Sequence, residues 1–235
     1  MNDILRWNKR SRSVNGKKLN DNDNDEPEKK KQCFPCNGIT DNLSITVTRN
    51  HIYFYAGVTK KSCLALNIEL KKLATKIMSD NYNFRNKDQY IYLHINSYGG
   101  SIFAALSTID TITNLPIPVV SIIEGAAASA ATLISVVCSH RIILANSFML
   151  IHQLSSSCWG KMSEIEDEVK NLKVLTNKIV EIYEKYTNLE EDELDKILKH
   201  DIWWDAQKCL TSGLVDKITN SKQLYKINLK KIILD

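Results

Sequence analysis

The chain reads as an α/β protein built from repeated βαβ units, followed by a long amphipathic helix. Short apolar runs alternate with stretches of helical spacing from about Asn42 onward, and that alternation calls for a largely parallel sheet. A glycine pair, Gly99-Gly100, stops one such run and opens a helical one. A third observation is the stretch Ser163 to Tyr186, in which Ile165, Val169, Leu172, Ile179, Ile182 and Tyr186 keep one apolar face.

Each element has its own signal. Leu43 to Val47 alternates as a half-buried strand does. His51 to Ala56 is a second strand, ending at Gly57. Cys63 to Met78 carries Leu66, Leu70, Leu73 and Ile77 at helical spacing, and Asp80 to Asp88 is a polar loop. Tyr90 to Ile95 is a strand stopped by Asn96 to Gly100. Ser101 to Thr113 is a helix with Ile102, Leu106 and Ile109 on one face. Strand Val119–Ile123, a turn at Glu124-Gly125, helix Ser129–Cys138 and strands Arg141–Leu144 and Phe148–His152 follow. The spacing Ser163 to Glu166 is that of a capping box, and Asn188 with Glu191 caps a further helix. Lys199 to Trp204 is extended, Asp205 caps a short helix through Leu210, Gly213 ends it, and Leu214 to Asp216 begins the last strand.

Composition bounds the function classes. The 235 residues suit one domain plus a tail, and a hydrophobic content of 43% suffices for a core. Residues 1–41 differ in kind: Lys9-Arg10, Lys17-Lys18 and Lys29-Lys30-Lys31 flank an acidic Asn/Asp run with few apolar residues, which predicts a disordered charged tail. A transit peptide is the other reading of that tail. The net charge of +4 is dispersed, which argues against nucleic acid as a partner. The six cysteines have no disulfide-framework spacing, so a reducing compartment is expected. Cys33-Phe34-Pro35-Cys36 is a lone CxxC with no second pair, and no metal site is expected. Met1-Asn2-Asp3 is followed by no long apolar run, so no secretory signal is expected. The apolar stretch from Ile117 to Cys138 is interrupted by Pro118, Glu124 and Gly125, so it reads as a buried strand and helix rather than a membrane span.

The chemistry resides in four places. Ser129 follows Gly125-Ala126-Ala127-Ala128 at the start of an alanine-rich helix. Its hydroxyl needs a base to become a nucleophile, and unpaired N–H groups at a helix start favour negative charge nearby. His152 stands where an apolar run meets a polar loop and is the candidate base. Asp201, beside Trp203-Trp204, would orient the imidazole. Gly100 lets backbone approach a substrate carbonyl, so its N–H and that of Ala130 are the candidate oxyanion donors. Taken singly, each has a plain structural alternative: a packed small residue, a structural histidine, a solvated acid and a tight turn. Their joint order, Gly-Gly, Ser, His, Asp, is the specific signal.

On these residues the chain resembles ClpP, the proteolytic subunit of the Clp protease, within the crotonase-like superfamily. The resemblance runs from about His51 to Ile218 and rests on Ile91 to Gly100, Gly125 to Ser129, Asn146 to Gln153, Asp201, and Gly213 to Asp216. The separations Gly100 to Ser129 and His152 to Asp201 match the family's, while Ser129 to His152 is slightly shorter. The resemblance implies a serine endopeptidase with Ser129 as nucleophile, His152 as base and Asp201 as its orienter, and with Gly100 and Ala130 forming the oxyanion hole. It implies a crotonase/ClpP-like fold whose Ser163–Tyr186 helix is the handle joining stacked heptameric rings around a chamber. It also implies peptide or unfolded-protein substrates and an AAA+ unfoldase that alone uses ATP. The chain has no P-loop and needs no cofactor, and a cytoplasmic location or an organelle matrix or stroma is expected. The tail at 1–41 would precede a peptidase domain at 42–235.

The chain departs from the family at four places. Tyr98 replaces a proline before the glycines. Leu154 to Cys158 replaces a Pro- and Gly-containing stretch of the substrate groove, which makes Tyr98, Leu154 and Ser155 candidate groove residues. The family's first helix and axial-loop sequence are not recognisable before His51. His94 and Asn114 stand where the family's unfoldase-docking pocket has aromatics. Two other function classes compete: a non-catalytic ring subunit, which would lose triad residues, and a crotonase-fold acyl-transfer enzyme, which uses acids rather than an ordered Ser-His-Asp set.

Overall fold

In the structure, a computed structural model, residues 45–84 and 90–220, with Lys222, are described. The charged tail at 1–41 with its Cys33–Cys36 pair, the beginning of the first strand and the later part of the Asp80–Asp88 loop lie outside the described residues.

Among the described residues, seven strands form one sheet: β1 (Ile45–Thr48), β2 (His51–Phe54), β3 (Ile91–Ser97), β4 (Val119–Ala128), β5 (His140–Leu144), β6 (Phe148–Leu150) and β7 (Lys217–Thr219). The order is β1-β2-β3-β4-β5-β7, with β6 paired to β4 off that path. Among the described strands, β1 and β2 pair antiparallel and the other strand pairs are parallel, as the alternation of strands and helices requires. The helices are α1 (Lys60–Phe84), α2 (Ile102–Thr113), α3 (Ala130–Val136), α4 (Met162–Tyr186), α5 (Glu191–Ile197) and α6 (Ala206–Thr211). Ile52, Phe54, Leu66, Leu70, Ile91, Leu93 and Ile123 are fully buried in the core between sheet and helices. Each such side chain contributes about 1.5–3 kcal/mol relative to an exposed one.

The expected elements are present, with corrections at their ends. α1 begins before Cys63 because Thr59 and Ser62 cap it reciprocally: Thr59 Oγ1 accepts the Ser62 N–H at 3.1 Å and Ser62 Oγ accepts the Thr59 N–H at 2.9 Å. It runs on to Phe84, into residues expected as loop. The start of α4 is fixed by Glu164, which accepts the Lys161 N–H at 2.9 Å, so Ser163 lies inside the helix rather than at its cap. The cap of α5 is Glu190, not Asn188. Asp205 does cap α6, accepting from the Lys208 N–H at 2.8 Å. The last strand begins at Lys217, after the expected Leu214; just before it the Asp216 carboxylate accepts from the guanidinium and backbone N–H of Arg141.

The largest correction concerns Gly125. The sequence places a turn at Glu124-Gly125 after a strand ending at Ile123, yet β4 continues through it to Ala128. Residues Val120 to Ile123 pair with β5, whereas Ala126 to Ala128 pair with β6. Gly125, at φ +85°, makes the bend between those two partners, and Ser147 Oγ accepts its N–H at 2.8 Å. The alanines beyond it, Ala126 to Ala128, are buried.

The two ends of α4 differ. Ile179, Val180, Ile182 and Tyr183 are buried, while Met162, Val169 and Val174 nearer its start are exposed, Val174 at 68%. The N-terminal part of this helix therefore protrudes. Among the described residues, no helix is long and apolar enough to cross a membrane.

Candidate active site

Ser129 sits at the junction where β4 hands over to α3. Its φ of 54° and ψ of −128° are rare for a residue with a Cβ, and a conformation of this kind costs on the order of 1–3 kcal/mol unless its neighbours hold it. They do so from both sides. The Ser129 N–H donates to the Leu150 carbonyl at 2.8 Å, and its own carbonyl accepts the Thr132 N–H at 2.9 Å. A strained serine on a strand-to-helix turn presents its hydroxyl outward, beside the unpaired N–H groups of the helix's first turn.

The contact to Leu150 also fixes His152, two residues further on. The adjoining Gln153 N–H donates to the Leu198 carbonyl at 2.7 Å. Met149 and Trp204 exchange backbone hydrogen bonds of 2.8 and 2.9 Å, which brings the segment before α6 alongside β6. Asp201 thereby reaches His152: its Oδ1 lies 2.7 Å from His152 Nδ1. The imidazole is 26% exposed and the carboxylate 71%. With Nδ1 engaged, Nε2 is the nitrogen left to face a substrate.

The glycine pair is held against the same junction. Val58 N–H donates to the Gly99 carbonyl at 2.8 Å, and Ser101 N–H donates to the Val58 carbonyl at 2.7 Å. Between those two bonds, the N–H of Gly100 is directed away from Val58. Neither glycine tolerates a side chain. A Cβ on Gly99 would lie 2.5 Å from the Ala128 carbonyl oxygen and 2.7 Å from Ser129 Cβ, and one on Gly100 would lie 2.3 Å from the Val58 carbonyl oxygen.

These elements enclose a cleft of about 250 Å³ whose walls include Gly100, Ser129, Ala130, His152, Leu154 and Ser155. Asp201 stands behind His152, and Tyr98 is outside the cleft wall, 58% exposed and edge-on to Trp203 at 6.2 Å. The structure thus gathers the candidate serine, histidine and both backbone donors at one place and leaves Tyr98 at its margin. Cys63, Cys138 and Cys209 are buried, and burial pushes the thiols of Cys138 and Cys209 up to about 12, so neither is a nucleophile. Among the described residues, no three His, Cys, Asp or Glu side chains group as a metal site would require.

Several supports of the site carry no signal in the sequence. Val58 and Leu198 act through backbone groups, which no side-chain pattern signals. Nor does the sequence signal a polar cluster on β2–β4. His94 Nδ1 lies 2.8 Å from Glu124 Oε1, His94 Nε2 lies 2.8 Å from His51 Nδ1, and Tyr55 Oη donates to Glu124. His94 is 2% exposed, and Tyr53 stacks on it at 4.2 Å. Burial alone would raise the Glu124 carboxyl, but the hydrogen bonds from His94 and Tyr55 outweigh it and hold the group below its ordinary value. Asn114, the other position of the expected docking pocket, caps α2 and donates to the Asp110 carbonyl at 2.7 Å.

A mostly parallel sheet of βαβ units, with a bent central strand that delivers a strained serine to a helix start, defines a mixed α/β architecture. Within it the assignment is narrower: the family model for Clp protease matches residues 50–222, and the chain belongs to that family. Among its relatives is the ATP-dependent Clp protease proteolytic subunit of Deinococcus radiodurans, 30% identical over 136 residues, which cover 57% of this chain and 67% of the relative. Membership supports a peptidase.

Proposed function

We propose that this chain is a serine endopeptidase, with Ser129 as nucleophile, His152 as general base and Asp201 holding the imidazole. The observation that carries the reading is a single cleft containing the strained Ser129, the Asp201-bonded His152 and the backbone of Gly100 and Ala130. In this mechanism His152 Nε2 takes the Ser129 proton as Oγ attacks the scissile carbonyl. The tetrahedral oxyanion is received by the Gly100 and Ala130 N–H groups, each worth about 10²- to 10³-fold in rate. His152 returns the proton to the leaving amine, and water then releases the acyl-enzyme by the same route.

The substrates in this reading are peptides and unfolded proteins, laid in extended form along Leu154 and Ser155. The protruding α4, with Met162, Val169 and Val174 exposed, supports self-association, read as heptameric rings that stack to form a chamber. An AAA+ unfoldase would be the ATP-using partner, and this chain would need no cofactor of its own. A cytoplasmic or organelle-matrix compartment suits the free cysteines Cys63, Cys138, Cys158 and Cys209. The test is Ser129→Ala with a short fluorogenic peptide, together with fluorophosphonate labelling of the parent. The substitution is expected to cost at least about 10³-fold in rate with the fold retained, and to abolish labelling. Equal cleavage by mutant and parent would remove the serine mechanism. A parent that neither labels nor cleaves would favour a non-catalytic ring subunit.

A further inference from the structure

Two buried hydroxyls outside the Ser-His-Asp set converge on the nucleophile's own peptide. Thr132, in the first turn of α3, is fully buried. Its Oγ1 donates to the Ser129 carbonyl at 2.6 Å, in addition to the N–H of the same residue at 2.9 Å. Tyr183, on α4 and 1% exposed, places its Oη 2.6 Å from Thr132 Oγ1. The direction of this relay follows from proton counting. A carbonyl only accepts, so the one Thr132 proton goes to Ser129, and Tyr183 must donate to Thr132. Burial pushes the Tyr183 phenol well above its ordinary value, which keeps it protonated and able to donate.

The consequence lies in the peptide plane. The Ser129 carbonyl and the Ala130 N–H belong to one planar trans unit and point in opposite directions. Drawing the carbonyl into the first turn of α3 therefore turns the Ala130 N–H outward, to the side on which Ala130 lines the cleft. The torsion that sets this plane is the ψ of Ser129, −128°, within a strained residue that only its surroundings hold in place. Two donors on one oxygen, one of them braced from α4, provide that restraint.

We propose that Thr132 and Tyr183 are positioning residues for the oxyanion hole, fixing the Ala130 N–H by holding the Ser129 carbonyl. The inference rests on the serine-peptidase reading and extends it to two buried side chains outside the triad, of which Tyr183 also lines the cleft. A merely structural hydroxyl pair would add stability and leave catalysis alone, so the two roles separate experimentally.

The test compares Thr132→Val, Thr132→Ser and Tyr183→Phe with the parent, measuring kcat and KM on a short fluorogenic peptide, affinity for a peptide boronate, and thermal unfolding. The boronate forms a tetrahedral adduct on serine that uses the same N–H donors as the oxyanion. Thr132→Val is expected to lower kcat by about 10- to 100-fold, less than outright loss of a donor, with KM within about twofold. Tyr183→Phe is expected to lower kcat about three- to tenfold, and Thr132→Ser to stay within about threefold of the parent because it keeps the hydroxyl. Boronate affinity should fall in step with kcat. Unchanged kcat in folded Thr132→Val, or a fall in kcat without a fall in boronate affinity, overturns the inference and leaves the peptidase reading standing. If Thr132→Val fails to fold, Tyr183→Phe decides alone, and parental kcat there overturns it equally. A parent without Ser129-dependent cleavage overturns both readings at once.

Discussion

Replacing Asp201 with asparagine tests how much an exposed acid contributes to this site. The change removes the charge and keeps the shape. In the parent, Asp201 Oδ1 is 2.7 Å from His152 Nδ1, which puts the charge centres of an imidazolium–carboxylate pair about 4 Å apart. At that separation a unit pair gains about 1 kcal/mol in bulk water and about 4 kcal/mol near a protein surface. The Asp201 side chain is 71% exposed, so the contribution lies between those limits. At about 1.4 kcal/mol per decade, Asp201→Asn should lower kcat/KM by about 5- to 10³-fold, less than the roughly 10⁴-fold typical of a buried acid. Steady-state hydrolysis of a short fluorogenic peptide measures it, with circular dichroism as the folding control. A variant within twofold of the parent would show that Asp201 does not support the base. A loss beyond about 10⁴-fold would show that solvent does not screen the pair, as when Asp201 is covered in an assembly.

Other perturbations follow from the same geometry. Gly99→Ala puts a Cβ 2.5 Å from the Ala128 carbonyl oxygen at a φ of +88°, so thermal unfolding should show a loss of at least about 1–2 kcal/mol, with peptidase activity falling further because Ser129 is displaced. Val174→Asp, on a side chain 68% exposed, should leave the melting of the protomer nearly unchanged while lowering the assembly size in sedimentation; an unaltered sedimentation profile would place self-association elsewhere. Glu124 has its carboxyl held below the ordinary 4.5, so the stability it adds is complete above that value and is lost as pH falls through the lower folded-state value. Glu124→Gln should therefore destabilise at pH 7 in urea titrations and flatten the decline of stability below about pH 4.5; parallel pH curves for variant and parent would remove that role.

The sequence alone determined what depends on neighbours along the chain. Period-two and period-3.6 patterns placed the strands and helices, because a strand or helix face is set by residues two to four apart. Asp205 at a cap was legible for the same reason, since its partner is Lys208, three residues away. Motif order and separations were enough to nominate Ser129, His152, Asp201, Gly100 and Ala130. Outside those motifs, the sequence could not carry a feature whose partner is distant. Gly125 looks like a stop until β5 and β6 are seen to claim different halves of β4, a matter of strand pairing across the sheet. The helix starts at Lys60 and Met162 and the cap of α5 were missed because several local capping options compete and packing chooses among them. Val58 and Leu198 support the site through main-chain groups, which have no side-chain signature. The His51–His94–Glu124 cluster joins three strands, and Thr132 meets Tyr183 only because α4 packs on α3. The φ of Ser129 was decided in the same way, since Leu150 and Thr132 together hold a conformation that Ser129 by itself would leave.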